Sequence, residues 1–393
     1  MTPSPPRAMK ICFVGLDNLP VLAPEFRHLP IGGESVQQTL LARALARRGS
    51  QVSMVVADWG QEDGRRWDGI RVFKAYRPRA GMPVLRFIHP RWTGLWSALA
   101  RVDADVYYTS CAGMHVGLVA IFCRRHGRGF VFRAASDPDC DRARLPLLIR
   151  YARDRWLYRH GLTHAHAILV QSTAQAAALA RSYGLAAKIA GMLVDPPRPA
   201  PRRDIDLLWV GNLKRVKRPD RMLELARLLP DARVHVAGGE TGGEEALFEA
   251  FERGAAVLPN LTYHGRLPYA EACALYGRAR VLVNTSDVEG FPNAYLQAWT
   301  HGVPVVTLID PDGLIAREGL GLAAASPEAL AEAVQRLLTD AAAWNEASER
   351  CRRYMARHYD EERILADYLD AFREAGRAAT RGREALSPLR RHA

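Results

Sequence analysis

Short apolar runs alternate with amphipathic segments along most of this 393-residue chain. The run KICFVG is followed by a loop and by VQQTLLARALARRG, whose apolar residues recur at spacings of three and four, as in a helix. Glu34 and Ser35 are predicted to cap this helix, and Gly49 to end it. QVSMVVA, ADVYYTS, GFVFRAAS and AHAILVQS predict further strands, with helices over 113–126 and 142–160. The alternation predicts a mostly parallel sheet covered on both faces.

The same pattern restarts after residues 194–204, VDPPRPAPRRD, which are rich in proline and arginine and are predicted to form a linker. Strands are predicted at IDLLWVG, RVHVAGG, LTYHG, RVLVNTS and GVPVVTL. Helices are predicted after Pro219, over 244–254, from Pro268, and over 326–339, 341–358 and 360–376. The chain is therefore an α/β protein with two doubly wound Rossmann-like domains, predicted to face a cleft that receives ligands at the strands' carboxyl ends.

Composition limits the class of protein. Apolar residues make up 48% and charged residues 24%, as in soluble globular proteins. No apolar run reaches the ~20 residues of a membrane-spanning helix. Asp17 and Asn18 interrupt the first apolar run, so we expect no secretory signal. The six cysteines form no C-x-x-C pair, so we expect free thiols in a reducing, cytoplasmic compartment.

The net charge of +12 indicates an anionic partner without specifying it. Residues 74–102 contain six basic residues and no acidic one, among Tyr76, Phe87, Trp92 and Trp96. This composition fits contact with an anionic membrane surface. A core edge with solvated arginines is the alternative. Charge alone would also allow nucleic acid, but no aromatic and basic strand motif of nucleic-acid modules is present, so we expect no nucleic-acid partner.

The stretch SDVEGFPNAYLQAWTHGVPVV, residues 286–306, predicts a strand, a tight loop and a helix. Free N–H groups at a helix start can bind a phosphate. Glu289 can accept hydrogen bonds from sugar hydroxyls, and Gln297 can contact a ribose. An ordinary capped helix explains the spacing equally well. The loop residues with backbone near a ligand would be Gly290, Phe291, Pro292 and Asn293.

A second candidate is WVGNLKRVKRPD, in which a strand ends at Gly211 and four basic residues follow. Cations at the carboxyl end of a strand can stabilise a departing diphosphate. A solvated surface cluster is the alternative. The basic residues are Lys214, Arg215, Lys217 and Arg218.

Three weaker candidates lie in the first half. Gly32 and Gly33 precede a helix and would let backbone approach a ligand, although a plain loop is as good an explanation. His115, at a predicted helix start, is a candidate acceptor-side group. No carboxylate completes a metal set with the other histidines, so no metal site is predicted.

FRAASDPDCD follows the strand predicted over GFVFRAAS. Ser136, Asp137 and Asp139 are predicted to face the cleft, where they could hold acceptor hydroxyls or transfer a proton. Helix capping is the competing role for Asp139 and Asp141, and we favour it for Asp141.

Over nearly its whole length the chain resembles the GT-B glycosyltransferases, in particular the retaining family 4. The stretch from Ser286 looks like the family's E-x7-E signature. The resemblance implies that Glu289 contacts the donor sugar and that the backbone of 290–293 contacts the diphosphate. Gln297 stands where the family has a second Glu that binds the ribose.

Other motifs extend the resemblance. VGNLKRVKRPD is similar to the family's Arg and Lys segment for the diphosphate: Lys217 matches the Lys, Asn212 stands at the Arg position, and Arg215 is expected to substitute. GGES resembles the glycine loop near the donor phosphate. Many family members have a His after the strand that corresponds to FVFRAA. Ala135 stands at about that position here, so we expect Ser136 or Asp137 to take the polar role of that His. HVAGG and YHGRLP resemble the base-binding segments, which implies backbone contacts to the nucleobase from Gly265, Arg266 and Leu267. Gly211 and Gly238 are further residues expected to bind the substrate.

The resemblance implies four parts of the chain. These are an acceptor-side domain (1–197), a nucleotide-sugar-binding domain (198–355), a C-terminal helix returning to the first domain (356–376) and a disordered basic tail (377–393). The implied reaction moves a sugar from a nucleotide diphosphate sugar to an acceptor hydroxyl with retention, and needs no cofactor and no metal.

The similarity extends to bacterial members of surface-polysaccharide synthesis. It implies a lipid-linked or growing glycan acceptor at the inner face of the cytoplasmic membrane. Two alternatives remain open: a UDP-sugar epimerase, and a non-catalytic sugar or nucleotide binder.

Overall fold

A computed structural model describes residues 8–83, 85–198, 200 and 202–386. It forms two compact units. The first contains residues 8–23, 34–191 and the chain from Glu361; the second contains Pro24–Gly33 and Met192–Asp360. Residues 1–7 and the last seven residues of the predicted tail lie outside the described part. The prediction of disorder from residue 377 is wrong for 377–386, which continue the last helix to Leu386.

The first unit is built on an eight-stranded sheet in the order β3-β4-β2-β1-β5-β6-β7-β8. All its neighbouring pairs are parallel except β3 with β4. The central six strands follow the doubly wound order, which reverses between β1 and β5. The strands are β1 (Lys10–Val14), β2 (Gln51–Val56), β3 (Arg66–Trp67), β4 (Ile70–Lys74), β5 (Val106–Ser110), β6 (Gly129–Arg133), β7 (Ala167–Val170) and β8 (Lys188–Ile189).

Helices cover this sheet, whose strands β1, β5, β6 and β7 are almost wholly buried. The last helix returns to the first unit, where Phe372 packs edge-on against Tyr108 of β5 with ring centroids 5.8 Å apart. The helices are α1 (Leu19–Leu22), α2 (Gly33–Arg47), α3 (Thr93–Val102), α4 (Met114–His126), α5 (Asp137–Cys140), α6 (Ala152–Thr163), α7 (Thr173–Tyr183) and, at the end of the chain, Glu361–Leu386.

The continuous helix predicted over 142–160 is wrong. Pro146 lies in a single 3-10 turn, Leu145–Leu147, and the backbone of Tyr151 is extended, so α6 begins only at Ala152. The guanidinium of Arg155 donates to the carbonyls that precede the helix instead of leaving them to helical N–H groups. A local turn therefore replaces the first half of the predicted helix.

One predicted cap is also wrong. Helix α2 begins at Gly33, so Glu34 lies in its first turn and pairs with Arg133 (3.0 Å) instead of capping. At α5 the N-cap is Ser136, and Asp139 completes a capping box, in which its carboxylate accepts from the N–H groups of Ala135 (2.7 Å) and Ser136 (3.0 Å). The carboxylate of Asp141 accepts from the N–H of Ala143 (2.9 Å) at the start of the turn that follows. Asp139 is buried and does not face a cleft.

The second unit contains a six-stranded, fully parallel sheet in the order β11-β10-β9-β12-β13-β14. This is the doubly wound order again, with its reversal between β9 and β12. In such sheets ligands bind outside the carboxyl ends of the strands at the reversal point. The strands are β9 (Ile205–Val210), β10 (Val234–Ala237), β11 (Leu261–Tyr263), β12 (Ala279–Asn284), β13 (Val305–Thr307) and β14 (Gly321–Ala323).

Helices line both faces of the second sheet and form two apolar layers, one around Trp209 and Met222 and one around Tyr295 and Trp299. The predicted helices after Pro219, from Pro268 and over 326–358 are confirmed within a residue or two. The helices are α8 (Pro219–Leu228), α9 (Glu245–Ala256), α10 (Tyr269–Arg278), α11 (Asn293–Thr300), α12 (Leu314–Glu318), α13 (Pro327–Thr339) and α14 (Ala341–His358), and the C-terminal helix is α15.

All six cysteines are free, as predicted. Burial raises the pKa of the Cys273 thiol to about 11, which keeps it protonated at neutral pH. Across the described residues, none of the helices combines the length and apolar character that crossing a bilayer requires.

Candidate functional site

Two loops leave the second sheet side by side, one after β9 and one after β12. Their backbones are joined where the N–H of Asp287 donates to the carbonyl of Val216 (2.8 Å). The hydroxyl of Thr285 donates to the carbonyl of Lys217 (2.8 Å) and accepts from the indole of Trp209 (3.0 Å). The reversal point therefore fixes the chain around Lys217 against the chain around Glu289, although 72 residues separate them.

Glu289 lies at this junction with a side chain that is 10% exposed. Its Oε1 accepts from the ammonium of Lys217, from the hydroxyl of Ser286 (2.6 Å) and from the amide of Asn284 (3.3 Å). All three bonds end on the same carboxylate oxygen. A half-buried carboxylate held in this way is oriented by its neighbours, and Oε2 takes no part in those three bonds.

The remaining basic residues of this loop have other partners. Arg218 binds Asp220 (2.6 Å), which lowers the pKa of the Asp220 carboxyl. Arg221 binds Asp287 (2.6 Å). Arg215 is exposed, and its backbone N–H reaches the carboxylate of Glu244 (3.4 Å). The structure thus brings Lys217 to Glu289, whereas the side chain of Arg215 makes no contact with that carboxylate.

The start of α11 follows directly. Pro292 is extended and stands at the N-cap, so the helix begins at Asn293. The side-chain amide of Asn293 donates to the carbonyl of Gly33 (2.6 Å), and that of Asn212 donates to the carbonyl of Ile31 (2.8 Å). The glycine loop, as part of the second unit, is therefore held against both predicted phosphate-binding segments.

Three predicted residues around α11 and α10 have structural neighbours. The amide of Gln297 donates to the hydroxyl of Tyr269 (3.2 Å), and the ring of Phe291 meets that of Trp299 at 6.1 Å. Leu267 packs beside the apolar layer that contains Trp299. Gln297 is therefore oriented by a tyrosine rather than free at the surface.

Glycines follow the carboxyl ends of β9, β10 and β11 and form an edge without side chains, which we call the glycine edge: Gly211, Gly238 and Gly265. The N–H of Gly238 donates to the carbonyl of Gly265 (2.9 Å), and Gly265 has a φ of +65°. A Cβ atom at Gly238 would lie 1.8 Å from the carbonyl oxygen of Gly211. Arg266 lies over Gly239 and donates to the carbonyl of Glu240 (2.5 Å). At position 238 only glycine lets the backbones pack so closely.

Replacing Gly238 with alanine should destabilise the second unit. The added methyl group overlaps the Gly211 carbonyl, so the strand ends must separate, at a cost of about 1–3 kcal/mol. Gly242→Ala is the matched control, since its Cβ would meet nothing within 4 Å. Urea unfolding of both variants checks this, and equal midpoints would show that the edge is not tightly packed.

The first unit contains the other predicted residues. His115 lies in the first turn of α4, where its Nε2 is 3.1 Å from the carbonyl of Ser110 and burial lowers its pKa. Ser136 is the N-cap of α5, and Asp137 accepts from the amide of Gln175 (3.1 Å). The roles of these side chains toward an acceptor stay predictions.

Sequence analysis missed the groups that orient the site. Asn284, in the run RVLVNTS, and Ser286, which opens the stretch quoted for Glu289, lie within five residues of that carboxylate, and their spacing was the available signal. The pairing of Lys217 with Glu289 had no local signal, because it arises from the strand order. The buried Glu34 and Arg133 pair was missed for the same reason.

Two family profiles match the chain in sequence. Residues 32–191 match "Glycosyl transferase 4-like domain", and residues 204–340 match "Glycosyl transferases group 1". No sequence match was found among curated proteins.

Several solved structures share the fold. Sucrose-phosphate synthase from Thermosynechococcus elongatus has a TM-score of 0.74 and 17% identity over 94% of this chain and 100% of its own. HepE from Anabaena, in complex with UDP and glucose, has a TM-score of 0.69 and 14% identity over 92% of this chain and 98% of its own. WaaG, a glycosyltransferase involved in lipopolysaccharide biosynthesis, has a TM-score of 0.60 and 18% identity over 94% of this chain and 98% of its own. At these identities the likeness concerns the fold.

Proposed function

Since the chain belongs to the GT-B glycosyltransferases of the family 4 type, we propose that it transfers a sugar from a nucleoside diphosphate sugar with retention of the anomeric configuration. One observation carries the proposal. The pair of Glu289 and Lys217 lies at the strand reversal of the second sheet, directly before the start of α11. A carboxylate for hydroxyls, a cation for phosphate and free helix N–H groups are the groups that such a donor needs.

Each group has a proposed role in donor binding. Glu289 accepts hydrogen bonds from sugar hydroxyls, and the backbone of 290–293 binds the diphosphate. Lys217, assisted by Arg215, stabilises the charge of the departing diphosphate. Gln297 contacts the ribose, and the glycine edge with Arg266 and Leu267 accommodates the base. Gln297 brings no charge, so ribose binding rests on its amide alone.

We infer a front-face mechanism for the chemical step. The bond between the anomeric carbon and the diphosphate oxygen breaks, and the acceptor oxygen bonds to that carbon on the same face. The acceptor's proton passes to the departing phosphate oxygen. Lys217 and the helix N–H groups would stabilise that oxygen before the proton arrives. The reaction balances without a covalent enzyme intermediate, and Glu289 is used for binding rather than for attack.

The acceptor is proposed to be a lipid-linked or growing surface glycan at an anionic membrane face. Family membership and the basic composition of residues 74–102 support this choice. In the first unit, Asp137, Ser136 and His115 are the proposed acceptor-side groups. Asp137 is the one carboxylate among them and is therefore the candidate to accept a hydrogen bond from the attacking hydroxyl while that hydroxyl's proton passes to the departing phosphate oxygen.

A thermal-shift panel of UDP-, GDP- and ADP-sugars tests the proposed donor class. A donor at 100 times its Kd stabilises the folded protein by about 2.7 kcal/mol, which should raise the melting temperature by about 5 °C or more. The matching nucleoside diphosphate should give a smaller shift, because it lacks the sugar that Glu289 holds.

The outcomes separate the alternatives. A shift without any nucleotide release in the presence of acceptor extracts would favour a non-catalytic binder. Nucleotide release that needs no acceptor would favour an epimerase. No shift with any donor at saturating concentration contradicts the proposal.

A further inference from the structure

Seven exposed apolar side chains of the first unit are concentrated in two short segments. They are seven of the twelve large hydrophobic side chains exposed in the described chain, with exposures from 46% at Leu148 to 72% at Leu147. Clusters of this kind mark interaction surfaces, whereas scattered exposed residues are ordinary. We call them the apolar patch: Met82, Leu85, Ile88, Leu147, Leu148, Tyr151 and Trp156.

The two segments are packed together. The guanidinium carbon of Arg153 lies 3.4 Å from the centre of the Phe87 ring, which joins the segment before α3 to α6. Arg155 donates to the carbonyls of Ile149 (3.0 Å) and Arg150 (2.7 Å), so the turn that bears Leu147 and Leu148 is fixed to the same helix. These contacts hold the two segments of the patch against each other.

Arginines alternate with the patch residues along both segments. Residues 74–102 contain no acidic residue, and over 142–159 the only acid is Asp154, which is paired with Arg153 (2.8 Å). Arginine guanidinium groups bind lipid phosphates, while apolar side chains enter the boundary between the lipid headgroups and the acyl chains. This composition therefore complements an anionic bilayer. The exposed arginines of the two segments are Arg77, Arg79, Arg86, Arg101, Arg142, Arg150, Arg153 and Arg159, of which Arg77 and Arg101 pair with Asp58 (3.5 Å) and Asp63 (3.2 Å).

We propose that the apolar patch docks this protein on the surface of an anionic lipid bilayer. Within residues 74–102 the exposed large apolar side chains are Met82, Leu85 and Ile88, and not the tryptophans that the sequence indicated. Trp92 packs edge-on against Phe87 (5.9 Å) and Trp96 against Phe122 (5.1 Å), so these tryptophans serve the core. The other four side chains of the patch belong to residues 147–156, a segment that the sequence analysis had not linked to a membrane. The docking deepens the membrane-face acceptor of the proposed function, on which it rests, by naming the surface that would meet the membrane, and the docking itself needs no donor.

Cosedimentation of the full chain with vesicles tests the docking. We expect binding to phosphatidylcholine vesicles that contain phosphatidylglycerol, weak binding to phosphatidylcholine alone, and a loss of binding as salt rises. The triple variant Met82→Ser, Leu85→Ser, Ile88→Ser and the double variant Leu147→Ser, Leu148→Ser should each bind about ten-fold more weakly. The matched control, Leu228→Ser with Val257→Ser, removes exposed side chains of the second unit and should bind as wild type.

Three outcomes would overturn the docking. One is wild-type binding that ignores lipid charge, and another is unchanged binding by both patch variants. The third is self-association of the wild type, measured by light scattering, that the patch variants abolish, since the patch would then be a contact between copies. The donor thermal shift is measured on the same variants and should persist. Vesicle binding without any donor shift in the wild type would leave the docking intact and contradict the proposed function.

Discussion

Glu289→Ala is expected to lower the turnover of the donor by about 10²–10³-fold while the protein stays folded, because the variant loses the carboxylate proposed to hold the sugar in the transition state. Nucleoside diphosphate release from the donor selected by the thermal-shift panel measures this loss. Circular dichroism and the melting temperature monitor the fold.

Two further variants show whether the charge or the position matters. Glu289→Gln keeps an oxygen that can accept from Ser286 and Asn284 but removes the charge opposite Lys217. It should recover part of the binding and little of the turnover. Asp287→Asn is the matched control in the same loop, where the carboxylate binds Arg221. If Asp287→Asn and Glu289→Ala lose equal activity, the loop as a whole matters and the role of Glu289 is not specific.

Lys217→Ala is expected to have the second large effect. The ammonium is the cation that the fold brings to Glu289, so its removal should lower kcat by about 10²–10³-fold through the loss of charge stabilisation on the departing diphosphate. Lys214→Ala is the matched control from the same basic run and should cost less than about three-fold. Steady-state kinetics with the same donor measures both.

The Lys217 and Glu289 variants should not be additive. The two side chains share one ion pair, so the double variant should lose less than the product of the single losses. Fully multiplicative losses would mean that the two groups act independently, which the geometry of the pair contradicts.

The fold was largely predictable because each buried strand carries its own signal. The runs IDLLWVG and RVLVNTS contain the continuously apolar cores LLWV and VLV, as strands covered on both faces do, and both appear as central strands. The failures came where local pattern and tertiary contact disagree. Residues 142–160 have helical spacing, yet Pro146 and the extended Tyr151 divide them, and Arg155 stabilises the break.

The site was predictable only in part. The stretch around Glu289 could be singled out, since a carboxylate, a glycine and a proline before a helix are visible locally. Which of four neighbouring cations would reach it was not visible, because strand order places Lys217 there while Arg218 and Arg221 bind aspartates. The packing of the tryptophans of residues 74–102 was not visible for a similar reason, since it depends on α4 and on the chain before α3.

Calorimetric titration of a nucleoside diphosphate sugar, and of the nucleoside diphosphate alone, into the wild type and Glu289→Ala tests the central claim most directly. The wild type should bind the sugar nucleotide more tightly than the diphosphate, and the variant should bind both with the same, weaker affinity. A variant that keeps the full preference for the sugar nucleotide would show that Glu289 does not hold the sugar.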